Sequence, residues 1–403
     1  MYSIALIDPL GDYGIGTYTY ELGQGLAANG ARVDAYVADA ADVRDVPLHP
    51  NHRRFLVLGS RLRKLAPRDR SSSVPANVGK TVSAASSRRM NGSAWRMYLR
   101  ARYLTLQLVL HLKRRGYDVV WTQWPEMESY PHFWLLCRML RIRLVHTVHN
   151  IFPHERSPGD LNRYARVYAS ADTLIVHSPQ VRSELAQHFP RVGSKTVVIP
   201  HGAYTIYPRD PTARERLRAR LGIANGARVV LFAGAVRPYK NITAAIDAFA
   251  MLALDDVILL VAGREQGAPS GNPLAATTSY VEQAGLASKV RFYGGYLDIP
   301  EMGALYEAAD ILLLPYLKSY GSGQLMLAVT FGKYVVATRP GMEDVLVRYP
   351  RAVVLDAPDA LSVRDGLVIA LERLRSGAEE HYEIPEAFDW ITIGADSLRA
   401  IRR

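Results

Sequence analysis

Short aliphatic and β-branched runs alternate along this chain with longer stretches whose apolar positions recur at helical spacing. SIALID, RVDAYVA, DVVWTQ, LVHTVH, TLIVHS and TVVIP carry the pattern to about residue 200, and VVLFAG, VILLVAG, VRFYGGY, ILLLPY, YVVAT and AVVL resume it. Such alternation predicts parallel sheets covered by helices. The stretch HGAYTIYPRDPTARERLRARLGIANGA is rich in Pro and charge and reads as a linker. The expected class is therefore α/β, with two Rossmann-like, doubly wound parallel-sheet domains facing a cleft. The expected bounds are residues 1–203 for the first domain, 204–225 for the linker, 226–385 for the second domain and 386–403 for a C-terminal helix that closes the two. Ligands of such domains sit at the carboxyl ends of the strands.

Composition agrees with two cores: 403 residues, 49% of them hydrophobic, suffice for both. The single cysteine, Cys137, permits no internal disulfide, and no Cys cluster offers a zinc site. The opening MYSIALIDPLG reads directly as a first strand, without a basic leader or a cleavage signature. The longest apolar runs fall short of the roughly 18 residues that span a bilayer. A cytoplasmic protein is expected, held peripherally on the inner face of the membrane. Charge supports the second half of that expectation. Residues 1–200 hold 27 Lys and Arg against 15 Asp and Glu, and the remaining 203 hold 22 against 23. Between Arg53 and Arg115, 16 basic residues face only Asp69. Such a segment is either a solvated basic loop or a surface drawn to anionic lipid or a phosphate-bearing acceptor. Nucleic acid is disfavoured, because zinc-finger and RNP-type motifs and regularly interleaved aromatics are missing.

The densest polar cluster is HTVHNIFPHE, with three histidines and a glutamate in ten residues. On a strand His146 and His149 point to opposite faces, and Pro153 breaks the chain before His154 and Glu155, so convergence on one metal ion is not expected. A strand end feeding a loop is where an α/β protein displays reactive groups. His149, His154 and Glu155 are thus candidates for sugar or acceptor contacts or a general base, although capping roles stay open. In DVVWTQWPEMESYPH, Trp124 is placed to stack on a sugar and Glu126 to accept a hydroxyl proton. The first strand ends at Asp8, and Gly14 and Gly16 then precede a helix whose N–H groups can meet a phosphate or sugar. The third spaced glycine of the dinucleotide fingerprint is missing, which disfavours a nicotinamide enzyme.

The second half has the better anion chemistry. In FAGAVRPYKNITAAIDAF a strand ends at Gly234, and Arg237 and Lys240 come before a helix that begins near Asn241. Two cations at a strand end suit a diphosphate leaving group. Ser322, Gly323 and Gln324 form a turn at the start of an apolar helix and add N–H donors and a helix dipole.

The order of elements resembles the GT-B glycosyltransferases, over nearly the whole chain. WPE, HNIFPHE, IPHG, VRPYK, LPY…SG…L…LA and the Trp of DWITIG more narrowly resemble the β-mannosyltransferases of xanthan-type exopolysaccharide assembly. The resemblance implies an inverting enzyme that takes mannose from GDP-mannose and delivers it to a saccharide or polyprenyl-diphosphate-linked acceptor. It needs no cofactor or metal beyond the sugar nucleotide. It places Gly294, Gly295 and Tyr296 beside the nucleobase and adds Tyr316 and Leu325 to the donor contacts. Glu126 is the first choice of base, Glu155 the second, with His149, Trp124 and His154 near the sugar or acceptor. One departure stands out. Large retaining families of this fold carry two glutamates eight residues apart around this turn, and the matching positions here are Ser319 and Leu327. Leucine cannot accept a hydrogen bond from a ribose hydroxyl, which disfavours the ordinary retaining families. A retaining glycosyltransferase using a UDP- or GDP-sugar and a UDP-N-acetylglucosamine 2-epimerase-like enzyme remain the alternatives.

Overall fold

The computed structural model describes residues 1–9, 13–37, 47–56, 92–125, 132–153, 158–252, 254–265, 272–377 and 382–402. The chain divides into two compact units, Met1–Pro200 with Trp390–Arg403, and His201–Asp389.

The first unit is built on a seven-stranded sheet. Its strands are β1 (Ser3–Asp8), β2 (Arg32–Val37), β3 (His52–Leu56), β4 (Val119–Thr122), β5 (Leu144–Thr147), β6 (Thr173–Val176) and β7 (Thr196–Val198), in the order β3-β2-β1-β4-β5-β6-β7. The pairings are parallel, Ile4 standing beside Val33 on one side and Val119 on the other. Strands buried on both faces need uninterrupted apolar runs, and β1, β4, β5 and β6 are buried throughout. The order reverses direction between β1 and β4, so their carboxyl ends flank a switch point. Helix α1 (Tyr13–Ala28) follows β1, and α2 (Gly92–Arg115) precedes β4. Gly14 and Gly16 lie inside the first turn of α1 rather than ahead of it. Arg53, counted above in the basic segment, belongs to β3 and grips Asp34 through two hydrogen bonds of 2.8 and 2.9 Å. Residues 57–91 of that segment lie outside the described residues.

The last helix returns to this unit. Trp390–Arg402 packs along α1 so closely that a Cβ on Gly25 would lie 2.1 Å from the Trp390 carbonyl oxygen. Only glycine at positions 25 and 394 lets the two backbones meet. The Trp390 ring meets Tyr18 edge-on at 5.3 Å.

The second unit carries β8 (Arg228–Ala233), β9 (Val257–Gly263), β10 (Val290–Gly294), β11 (Ile311–Leu314), β12 (Tyr334–Thr338) and β13 (Ala352–Leu355), all in parallel pairings in the order β10-β9-β8-β11-β12-β13. Alternation along each strand assigns the two faces. Val229, Leu231, Leu312 and Leu314 enter one core, and Val230, Phe232, Ile311 and Leu313 enter the other.

The stretch read above as a linker, 204–225, is part of this unit. Tyr204, Tyr207, Leu217 and Ile223 are buried in its core, and the helix Pro211–Arg220 begins at a capping Asp210 whose side chain accepts from the Thr212 amide. Two of the helix's cations are used internally. Arg218, buried, donates to Asp310, as does Arg214, each at 2.8 Å, and the same carboxylate accepts the Val229 amide at 2.8 Å. Charge and proline made this segment read as a linker, yet two of its arginines, Arg214 and Arg218, are anchored by one carboxylate just before β11.

Candidate functional site

In the second unit the switch point falls between β8 and β11, and the chain around it is shaped by small residues. Gly234 follows β8 at φ 91°, a left-handed conformation that glycine adopts without strain. A Cβ there would lie 2.9 Å from Lys240 Nζ and 3.5 Å from Gln324 Nε2, so the two side chains converge on the bare backbone of Gly234. On the β9 side, Gly263 approaches so closely that its Cβ would lie 2.3 Å from the Gly234 carbonyl oxygen. Gly295 then donates its amide to the Gly263 carbonyl at 3.0 Å. The carboxyl ends of β8, β9 and β10 are therefore built of glycine, Gly234, Gly263, Gly294 and Gly295, with Lys240, Gln324 and the Pro273 ring packed against them.

Lys240 closes a short 3-10 turn, Pro238–Lys240, and folds back under β8. Its ammonium donates to the Ala233 carbonyl at 3.2 Å and stands 5.5 Å from the centre of the Tyr316 ring. Burial, with a smaller push from the Arg237 charge, lowers its pKa to about 7. Arg237 is half-buried and immediately precedes the same turn, with no side-chain hydrogen bond to it.

From β11 the chain passes through Tyr316, buried against Tyr239, to a loop and then to the helix Gly323–Phe331. Ser322 caps this helix by accepting the Leu325 amide at 3.3 Å. The first-turn amides of Gly323 and Gln324 have no carbonyl four residues back within the helix. Gln324 is oriented by Tyr306, whose hydroxyl lies 2.9 Å from both its side-chain and its main-chain oxygen. The Leu325 side chain is buried in the core and its amide donates to Ser322 Oγ at 3.3 Å. Leu327 is likewise a core residue, and Ser319 spends its hydroxyl on the loop, donating to the Gly321 carbonyl at 2.6 Å. Tyr296, just past β10, is about half exposed.

In the first unit the polar groups gather at the ends of β1, β4 and β5. Asp8 accepts from the Trp124 indole at 2.9 Å and from the Thr19 hydroxyl at 3.0 Å. Trp124 thus has its N–H committed while its ring stays half-buried. His149 Nε2 lies 3.1 Å from Gln123 Oε1, and its ring meets Tyr18 edge-on at 4.8 Å and lies 5.5 Å from His177. Gln123 is buried, and its amide nitrogen has no hydrogen-bond partner among the described residues. His177 is buried, desolvation lowers its pKa to about 4, and its Nδ1 donates to the Ile199 carbonyl at 3.0 Å. The sequence marks Gln123 as a polar strand-end residue without a role, and gives none to His177. Both stand where a strand ends, the position that had marked Trp124 and His149.

His146 is a different kind of residue from His149. It is fully buried beside Trp134 and Tyr168 and bonded to Thr122 at 3.0 Å, and desolvation lowers its pKa to about 3. It is a neutral core histidine. Glu126, His154 and Glu155 lie outside the described residues. Among the described residues no group of three or more His, Cys, Asp or Glu could hold a metal ion.

Comparison with known proteins matches two family models in tandem. Residues 13–205 match Glycosyltransferase Family 4, and residues 213–373 match Glycosyl transferases group 1. A D-inositol 3-phosphate glycosyltransferase of Corynebacterium efficiens is 28% identical over 70% of this chain and 71% of its own length. Its counterpart from Geodermatophilus obscurus is 27% identical over 64% and 60%. Among solved structures, HepE of Anabaena in complex with UDP and glucose matches the whole of both chains at 17% identity and TM-score 0.68. A glycosyltransferase from Rickettsia africae covers all of this chain and 98% of its own at 13% identity and TM-score 0.70.

Proposed function

Because this chain belongs to the glycosyltransferases of the GT-B type, we propose that it moves a sugar from a nucleoside-diphosphate donor bound at the β8/β11 switch point onto a hydroxyl acceptor. The observation that carries this reading is the convergence of Lys240 and Gln324 on the bare backbone of Gly234. A diphosphate seated there would meet one buried ammonium, the Gln324 amide and the first-turn N–H groups of a helix. These donors are in place before reaction and face the charge that grows as the sugar–phosphate bond breaks. Arg237, whose charge Lys240 feels, adds a second cation from the same turn. Gly295, where a Cβ would meet nothing within 4 Å, leaves room for the nucleoside.

For the finer chemistry we carry forward the reading that the donor is GDP-mannose and that transfer inverts the anomeric centre. What supports it is the sequence resemblance together with Leu327, a core leucine where retaining relatives place a carboxylate. In that reaction the acceptor hydroxyl loses its proton to Glu126 or Glu155 and attacks the anomeric carbon, and the nucleoside diphosphate leaves toward Lys240. UDP-sugars are the competing donors, favoured by the nucleotide bound in HepE.

A thermal-shift series with GDP, GDP-mannose, UDP and UDP-glucose tests the assignment, since a ligand bound to the folded state alone raises its stability with concentration. GDP and GDP-mannose should raise the melting temperature most. A larger shift with the uridine compounds would remove the mannosyl reading and leave the donor site standing.

A further inference from the structure

The helix Gly92–Arg115 is apolar on two opposite sides. Its inner side places Leu108, Val109 and Leu112 in the core beside β1 and β4. Its outer side exposes Leu99, Tyr103 and Leu106 at 46, 61 and 43%. With 100° per residue, Leu99, Tyr103 and Leu106 fall within about 60° of one another, and the buried leucines lie on the opposite side. Arg96 and Arg100 flank the outer stripe on one edge, Arg102 and Lys113 on the other. The whole helix contains no Asp or Glu. The neighbouring helix Phe133–Met139 repeats this chemistry, with Leu135 56% and Met139 69% exposed, Arg138 between them, and no carboxylate.

An exposed row of large apolar side chains edged on both sides by cations has a definite physical preference. In water the stripe stays hydrated and the cations repel one another. At an anionic bilayer the apolar groups enter the headgroup boundary, the long basic side chains reach back to the phosphates, and a tyrosine suits the interface between them. Protein partners that fit so uniformly basic a rim would need a surface as uniformly acidic. We propose that the outer face of Gly92–Arg115 seats the first unit flat on a membrane rich in anionic lipid. Among the described residues no helix is long and apolar enough to cross a membrane. The donor assignment in the second unit does not depend on it.

The test is co-sedimentation of the full chain with vesicles of phosphatidylcholine alone and of an equimolar mixture with phosphatidylglycerol. Binding should require the anionic lipid and weaken as salt rises, because exposed charges are screened over about 8 Å at physiological ionic strength. Arg96→Gln with Arg100→Gln should weaken binding roughly 25-fold, about fivefold for each cation removed. Leu99→Ser with Leu106→Ser should weaken it at low and at high salt alike, since it removes insertion and leaves the charge. All four positions are exposed, so the variants should fold, and an unchanged nucleotide-induced thermal shift checks this. The proposal is overturned by equal binding to both vesicle types, by binding that neither double variant alters, or by stripe variants that change the oligomeric state while vesicle binding stays the same. The last result would make a second copy of the chain the occupant.

Discussion

Lys240 has no carboxylate beside it among the described residues; burial and the Arg237 charge act on it in the same direction. The unfolded chain holds this proton up to the ordinary lysine range and the folded chain only to about 7. Between those values the unfolded state binds more protons, so stability attributable to Lys240 rises with pH through that window and is at its lowest below it. Lys240→Met should remove this slope. The difference in unfolding free energy between variant and wild type, followed by urea titration, should favour the variant near pH 7 and shrink by up to about 1.4 kcal/mol per pH unit toward pH 10. A difference that does not change with pH would mean that Lys240 keeps its proton. A bound diphosphate would restore the proton, so nucleotide affinity of the wild type should fall by up to about tenfold per pH unit above 7, whereas the variant should bind weakly throughout. Gly234→Ala tests the same spot from the backbone. The new Cβ would crowd Lys240 Nζ in a left-handed conformation, so a loss of about 1 kcal/mol in stability and a larger loss in nucleotide binding are expected. Unaltered calorimetric binding would place the diphosphate elsewhere.

At the scale of elements, the alternation of apolar runs with helical stretches was legible because strands covered on both faces need continuous apolar runs, and β8, β9 and β11 supply them. The strand ends were legible for the same reason, which is why His149, Lys240 and the turn at Ser322 could be singled out. Three things were not. The charge on Pro211–Arg220 pairs with Asp310, almost a hundred residues away, and no local pattern shows such a partner. The packing of Trp390–Arg402 on α1 depends on Gly25 and Gly394, which in sequence are merely small residues in helices. The orientation of His149 depends on Gln123, from a neighbouring strand end. The first of these has a measurable consequence. Asp310→Asn would leave Arg218 buried with its counter-charge removed, and breaking such a pair costs about 3–5 kcal/mol. Urea denaturation should show a loss of that size. A loss under about 1 kcal/mol would mean that water or the carbonyls of Ala308 and Ala227, which Arg218 also contacts, satisfy the guanidinium alone.

At the scale of the molecule, each unit concentrates its polar chemistry at the carboxyl edge of a parallel sheet, on either side of its own switch point. In the second unit that edge is built of glycine and carries the Lys240 cation and Gln324; in the first it carries Asp8, Trp124, Gln123 and His149. The account therefore assigns the diphosphate to one particular edge, and hydrogen exchange read by mass spectrometry, with and without saturating GDP or UDP, tests that assignment most directly. Amides of residues 234–237, 239–240 and 322–324 should exchange more slowly with nucleotide bound, with the start of the helix Gly323–Phe331 among the most protected. Protection confined to residues 1–200, or none at all with nucleotide shown to be bound, would contradict it.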